Sequence, residues 1–122
     1  MSPFRTFGVG VDIEDIGRFK GLGKGPMKRI FTEDEILYCS KKGHPEVHFA
    51  ARFVAKEAVL KALGSMGIVG CDLKKIEIVN DPKGAPNVRF RDFEPAKGLT
   101  ITLSISHNKG SAVSVAMVMR DE

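Results

Sequence analysis

The chain has 122 residues with a formal net charge of +4 at pH 7, 43% hydrophobic and 28% charged, the proportions of an ordinary globular protein. One core fits that length, so a single domain spanning 1–122 is expected, and disorder, collagen-like repeats and disulfide scaffolds are excluded. No apolar run reaches the roughly 20 residues of a membrane span.

Gly8, Gly10 and Asp12 interrupt the apolar start from Met1 to Ile13, which also holds Arg5, so no secretory signal is expected. Cys39 and Cys71 read as reduced thiols of a cytoplasmic protein. The basic charge balance points to an anionic partner.

Thr6–Ile13 alternates as a strand does, with Gly8 and Gly10 permitting close backbone approach. Ile16–Phe31 carries five basic residues (Arg18, Lys20, Lys24, Lys28, Arg29) and no acidic one. Gly21–Pro26 divides that stretch into a short helix, a loop and a second helical turn. Thr32-Glu33-Asp34-Glu35 has the form of a capping box and predicts a helix to about Lys42. Pro45 opens a long helix that continues to Met66.

The period then changes. Lys74–Val79 and Val88–Arg91 read as strands around the turn Asn80–Gly84. Thr100–Ser106 and Val113–Met119 read as two more, joined by a loop of His107, Asn108, Lys109 and Gly110. The predicted class is α+β: an antiparallel sheet, built as a meander, packed on one long and several short helices.

Three places carry chemistry. In the long helix Phe49, Phe53, Leu60 and Leu63 form an apolar stripe, and Lys56 falls inside it with Glu57 at its edge. A charge there is costly unless it is paired or ligated. The plain alternative is a snorkelling Lys56 and a surface pair between Glu57 and Lys61.

Asp12 ends a Gly-rich strand, and Glu14, two residues on, shares its face in an extended chain. Two such carboxylates suit Mg²⁺, with a helix cap as the competing role. The Ser106–Lys109 turn supplies an imidazole, His107, beside a cation; as a loop histidine it also fits a plain surface role. His44 and His48 have helical zinc spacing, but Pro45 puts His44 outside the helix. Gly21-x-Gly-x-Gly25 follows no predicted strand and reads as a connector, not a phosphate loop.

Taken together, Gly8-Val-Gly-Val-Asp12-Ile-Glu14, Phe49-Ala-Ala-Arg52-Phe-Val-Ala-Lys56-Glu57-Ala-Val-Leu-Lys61-Ala-Leu-Gly64 and Ser104-Ile-Ser-His107 resemble the three motifs of the holo-acyl-carrier-protein synthases, the small class of 4′-phosphopantetheinyl transferases. Order, spacing and length agree over nearly the whole chain. The resemblance implies transfer of the 4′-phosphopantetheine arm of coenzyme A to a serine of an apo acyl carrier protein, leaving adenosine 3′,5′-bisphosphate. It implies Mg²⁺, with Mn²⁺ as an alternative, held by Asp12 and Glu57. Lys56 would lie by the attacked phosphate, Arg52 and Lys61 would hold coenzyme A phosphates, and His107 would contact phosphate or the carrier. The serine proton would pass to Glu57 or to a water on the metal.

The family docks acidic carrier proteins on the basic helix after the first motif, which makes Arg18 the leading contact. Its small members are homotrimers with sites between protomers. Glu14 departs from many bacterial relatives and is similar to the Asp-x-Glu of the two-lobed transferases and fungal synthase domains, which makes it a candidate third ligand.

Two rival classes are a nucleic-acid-binding module and a coenzyme A-binding scaffold without catalysis. The first normally stacks bases on sheet aromatics, whereas this chain has no Trp and one Tyr, Tyr38, in a predicted helix. The second is opposed by the presence of Asp12, Lys56, Glu57, Lys61 and His107 together.

Overall fold

In a computed structural model, residues 6–95 and 98–121 are described; Arg5 and the rest of the first five positions lie outside them. Strand β1 (Phe7–Asp15) leads through a 3-10 turn (Ile16–Phe19) into α1 (Lys24–Ile30), α2 (Glu33–Ser40) and α3 (Pro45–Ser65). A second 3-10 turn (Leu73–Lys75) precedes β2 (Ile76–Asn80), β3 (Pro86–Phe90), β4 (Leu99–His107) and β5 (Ser111–Arg120).

The class is α+β as expected, but the strands do not form one meander. β1, β5 and β4 make an antiparallel sheet in that order, and β2 and β3 form a separate hairpin. The first strand pairs with the last, from Phe7 opposite Met119 to Asp15 opposite Ser111. That long-range pairing leaves no local mark in the sequence. Lys74 and Lys75 belong to the 3-10 turn, so β2 starts at Ile76. β4 runs through His107, so only Asn108, Lys109 and Gly110 remain as turn.

The expected helix starts are found. Thr32 Oγ1 accepts from Glu35 N at 3.3 Å and Glu35 Oε1 accepts from Thr32 N at 3.0 Å, a complete capping box. Pro45 opens α3 where its missing N–H is no loss.

α3 is the core element, and its apolar contact is wider than one stripe. Ala50, Val54, Ala55, Ala58, Val59 and Ala62 are buried alongside Phe49, Phe53 and Leu63. β1 crosses it in backbone contact: a Cβ on Gly8 would lie 2.2 Å from the Ala62 carbonyl oxygen, and one on Gly10 1.9 Å from that of Ala58. Glycine is required there for helix and strand to touch. The opposite face of the sheet is bare. Phe7, Val9, Val11 and Ile13 on β1 and Val115, Met117 and Met119 on β5 are all exposed.

Candidate active site

Alternation along β1 puts Gly8, Gly10, Asp12 and Glu14 on the side facing α3. The glycines are buried and the two acids half-buried, so carboxylates appear where the glycine-packed crossing ends. Lys61 on α3 donates to Asp12 Oδ1 and to the Val11 carbonyl, both at 3.1 Å. The surface pair between Glu57 and Lys61 is therefore not the arrangement found. Burial raises the Glu57 carboxyl above the ordinary value, and the Asp12 charge pushes the same way; Lys61 and Arg18 pull it down, and Glu14 adds a push. Asp12, Glu57 and Lys61 thus share one electrostatic site.

Glu14 is engaged elsewhere. Its Oε2 accepts from Arg18 Nη1 at 2.6 Å and its Oε1 from Asp15 N at 3.0 Å. The Arg18 guanidinium also lies 4.8 Å from the Phe53 ring centroid, within cation–π range. Among the described residues no group of three or more His, Cys, Asp or Glu side chains is placed to hold a metal ion. Two carboxylates still fit Mg²⁺, which typically takes one or two from protein and completes its shell with water and phosphate oxygens.

His107 shares this side of the sheet. Glu14, Ala112 and His107 face one another across β1, β5 and β4, so His107 stands two strand spacings, about 10 Å, from Glu14. It is exposed, with Nδ1 3.4 Å from the Asn108 carbonyl oxygen.

The other predicted cations lie round the helix. Arg52 and Lys61 are nine positions apart, about 180° round α3 and roughly 13 Å along it. Arg52, 6% exposed, faces α2 and β2. There its Nη2 donates to Asn80 Oδ1 at 3.2 Å, its guanidinium lies 4.0 Å from the Tyr38 ring centroid, and its buried Nε has no hydrogen-bond partner among the described residues. Lys42 Nζ is 4.5 Å from the same ring. Burial lowers the nearby His48 pKa, and the charges of Lys42, Arg52 and His107 lower it further.

Lys56 does not snorkel. It is 0% exposed and its Nζ donates to Glu35 Oε1 inside the fold. The resemblance places Lys56 beside the attacked phosphate; here its ammonium is turned to the interior. Burial lowers its pKa while the Glu35 charge opposes that shift. Glu35, Tyr38 and Asn80 were visible in sequence only as a cap, an aromatic and a turn residue.

The model of the 4′-phosphopantetheinyl transferase superfamily matches residues 8–116. A holo-(acyl-carrier-protein) synthase of Geobacter sp. strain M21 is 43% identical, over 93% of this chain and 98% of its own. That of Syntrophus aciditrophicus strain SB is also 43% identical, over 91% and 94%. The crystal structure of a holo-(acyl-carrier-protein) synthase from Bacillus anthracis, in complex with CoA (3′,5′-ADP), aligns with a TM-score of 0.75 at 32% identity, covering 94% of this chain and 96% of that one. With the glycine-packed strand, the Asp12–Lys61 contact and Glu57 in place, the chain belongs to the holo-acyl-carrier-protein synthase family of 4′-phosphopantetheinyl transferases.

Proposed function

We propose that this chain moves the 4′-phosphopantetheine arm of coenzyme A onto a serine of an apo acyl carrier protein, with Mg²⁺ or Mn²⁺ as cofactor and adenosine 3′,5′-bisphosphate as the other product. The observation that carries the proposal is the Lys61–Asp12 contact, 3.1 Å, with Glu57 on the same helix close enough to feel the Asp12 charge, in a chain of this family. Asp12 and Glu57 would hold the cation, which supplies neutralisation of the pyrophosphate charge. Lys61, already at the carboxylates and half-exposed, is free to turn its ammonium to a phosphate oxygen. The attack of serine oxygen on phosphorus is in line, and positioning with charge neutralisation supplies most of its acceleration.

Arg52, with an unpartnered buried Nε, suits a second, distant phosphate of the same long cofactor. His107, exposed at the strand end, suits phosphate or the carrier. Glu14 sits in reserve beside the metal pair, held by Arg18. Lys56 is assigned to the support of the site, since a sealed ammonium offers no surface to a ligand.

We further propose a cytoplasmic homotrimer with sites between protomers. Among the described residues no helix is long and apolar enough to cross a membrane. The bare face of β1 and β5 gives a second copy an apolar surface to cover. A neighbour would also complete a site whose anion-binding groups stand on opposite sides of α3. Val11, 55% exposed in the single chain, offers a direct check. Val11→Asp should yield monomers by light scattering with the fold retained, and an unchanged mass would remove this face from the interface.

The deciding assay is intact mass of an apo carrier protein after incubation with the chain, coenzyme A and Mg²⁺, beside an EDTA control. Gain of one phosphopantetheinyl group, abolished by EDTA, is the expected result. No gain with several apo carriers would overturn the reading.

A further inference from the structure

We propose that Glu35 is a positioning residue of the active site: by holding Lys56 inside the fold it fixes the rotation of α3, and so sets where Arg52 and Glu57 point. The inference rests on the transferase reading above.

Glu35 is 1% exposed, and its two oxygens gather donors from three elements. Oε1 accepts from Thr32 N at the start of α2 and from Lys56 Nζ on α3, and Oε2 accepts from Ile78 N on β2 at 2.9 Å. Thr32 ties in a second sealed carboxylate. Its hydroxyl donates to Glu77 Oε2 at 2.5 Å, and Glu77, 0% exposed, also accepts from Arg91 Nη1 at 3.1 and 3.2 Å. Lys56 is therefore plugged into a framework that joins α2, β2 and Arg91, the residue that follows β3.

A directional contact matters on this helix in particular. Around Lys56 the buried surface of α3 is otherwise almost wholly apolar, with Ala50, Ala55, Ala58 and Ala62 among Phe49, Phe53, Val54, Val59 and Leu63. Apolar burial is non-directional, so it sets the rotation of a helix less sharply than a polar contact of fixed geometry. A charge-assisted hydrogen bond has a defined length and direction. Stability alone does not call for it, because an apolar pair of similar volume is often as stable as a buried ion pair.

The groups that depend on that rotation flank Lys56 on both sides. Arg52 precedes it by four residues, about 40° round the helix, and Glu57 follows it at about 100°. Turning α3 would carry Arg52 away from Asn80 and Tyr38 and shift Glu57 relative to Asp12. A displacement on the order of 1 Å in such groups can cost about a hundredfold in rate.

The test separates position from stability. In Glu35→Gln/Lys56→Met no unpaired charge remains inside, and the single amide oxygen can still accept from one of the two backbone donors, Thr32 N or Ile78 N. Melting temperature and coenzyme A affinity, the latter by calorimetry with Mg²⁺ present, are measured for this variant and the parent. The expected result is a variant that still melts cooperatively, lowered by no more than the one lost backbone hydrogen bond, with coenzyme A bound about tenfold or more weakly and an unchanged KM for the carrier protein. Parent-like affinity in the folded double variant overturns the inference.

Glu35→Asp guards against a double variant that does not fold. It keeps the charge but draws the carboxylate back by one methylene. Weakened coenzyme A binding in the folded protein supports positioning, and full affinity overturns it. A parent chain that binds no coenzyme A overturns the transferase reading itself, and this inference with it.

Discussion

Lys56 and Lys61 stand five residues apart on one helix, each against a carboxylate, in opposite surroundings. Lys56 and its partner Glu35 are 0% and 1% exposed; Lys61 and its partner Asp12 are 54% and 15% exposed. Inside the fold no water or salt competes for the charge, and losing one partner strands the other in a medium that cannot solvate it. At the surface the same contact is worth little and is screened. The sealed pair is fixed structure, whereas the open pair can exchange its carboxylate for an incoming phosphate at small cost. On α3 burial, not residue type, separates the sealed cation from the open one, and the proposed phosphate role falls to the open one.

The largest expected effect comes from breaking the sealed side. Glu35→Ala removes the counter-charge of Lys56, the acceptor for Ile78 N and half of the capping box. A loss of about 3–5 kcal/mol is expected from the uncompensated charge, read as a lower urea midpoint with the slope unchanged. A loss under about 1 kcal/mol would put Lys56 in contact with solvent. Lys61→Ala is the matched control on the open side. It should change stability by less than about 1 kcal/mol while raising the KM for coenzyme A, and an unaltered KM would take Lys61 off the phosphates.

Glu57 sharpens the contrast, because it sits on the open flank and still feels burial. Its carboxyl titrates above the usual 4.5 in the folded chain, chiefly through burial and then through Asp12. A raised folded pKa means that the folded state holds the proton more tightly than the unfolded one. Protonated Glu57 is therefore no burden at low pH, and ionisation costs stability as pH rises from 4.5 through the folded pKa. Glu57→Gln in metal-free buffer should melt no lower than the parent at pH 7, with the difference closing as pH falls towards 4.5. The same variant should lose Mg²⁺-dependent transfer. Near-normal turnover would remove Glu57 from the metal site, and a large drop in melting temperature would make it a structural group.

Local signals made much of this fold readable. The Thr32–Glu35 box, Pro45 and the alternation of β4 and β5 each mark an element through neighbours in sequence. Gly8 and Gly10 announced a close approach without saying to what; Ala58 and Ala62 on α3 are the answer. Long-range pairing was not readable. Nothing near Lys56 names Glu35, twenty-one residues earlier, as its partner, and a capping-box Glu gives no sign that it also serves another helix. The split between the Arg52 and Lys61 sides was latent in the nine-residue spacing, but a motif read as one string draws both to one place.

The smallest effect on stability is expected at Arg18, the second open pair. Its side chain is 47% exposed and bonds Glu14, four residues back at the end of β1, at 2.6 Å. Such an exposed pair contributes about 0.2–1 kcal/mol, so Arg18→Glu should move the melting temperature only slightly. Its kinetic effect should be selective. An acidic carrier loses an attractive charge and meets a repulsive one, so its KM should rise and the rise should shrink as salt screens both. The KM for coenzyme A is the internal control, because Arg18 also lowers the Glu57 pKa and releases Glu14 when removed. A carrier KM that rises alone assigns Arg18 to docking. If both KM values rise together at every salt concentration, its chief role is to keep Glu14 away from the Asp12–Glu57 pair.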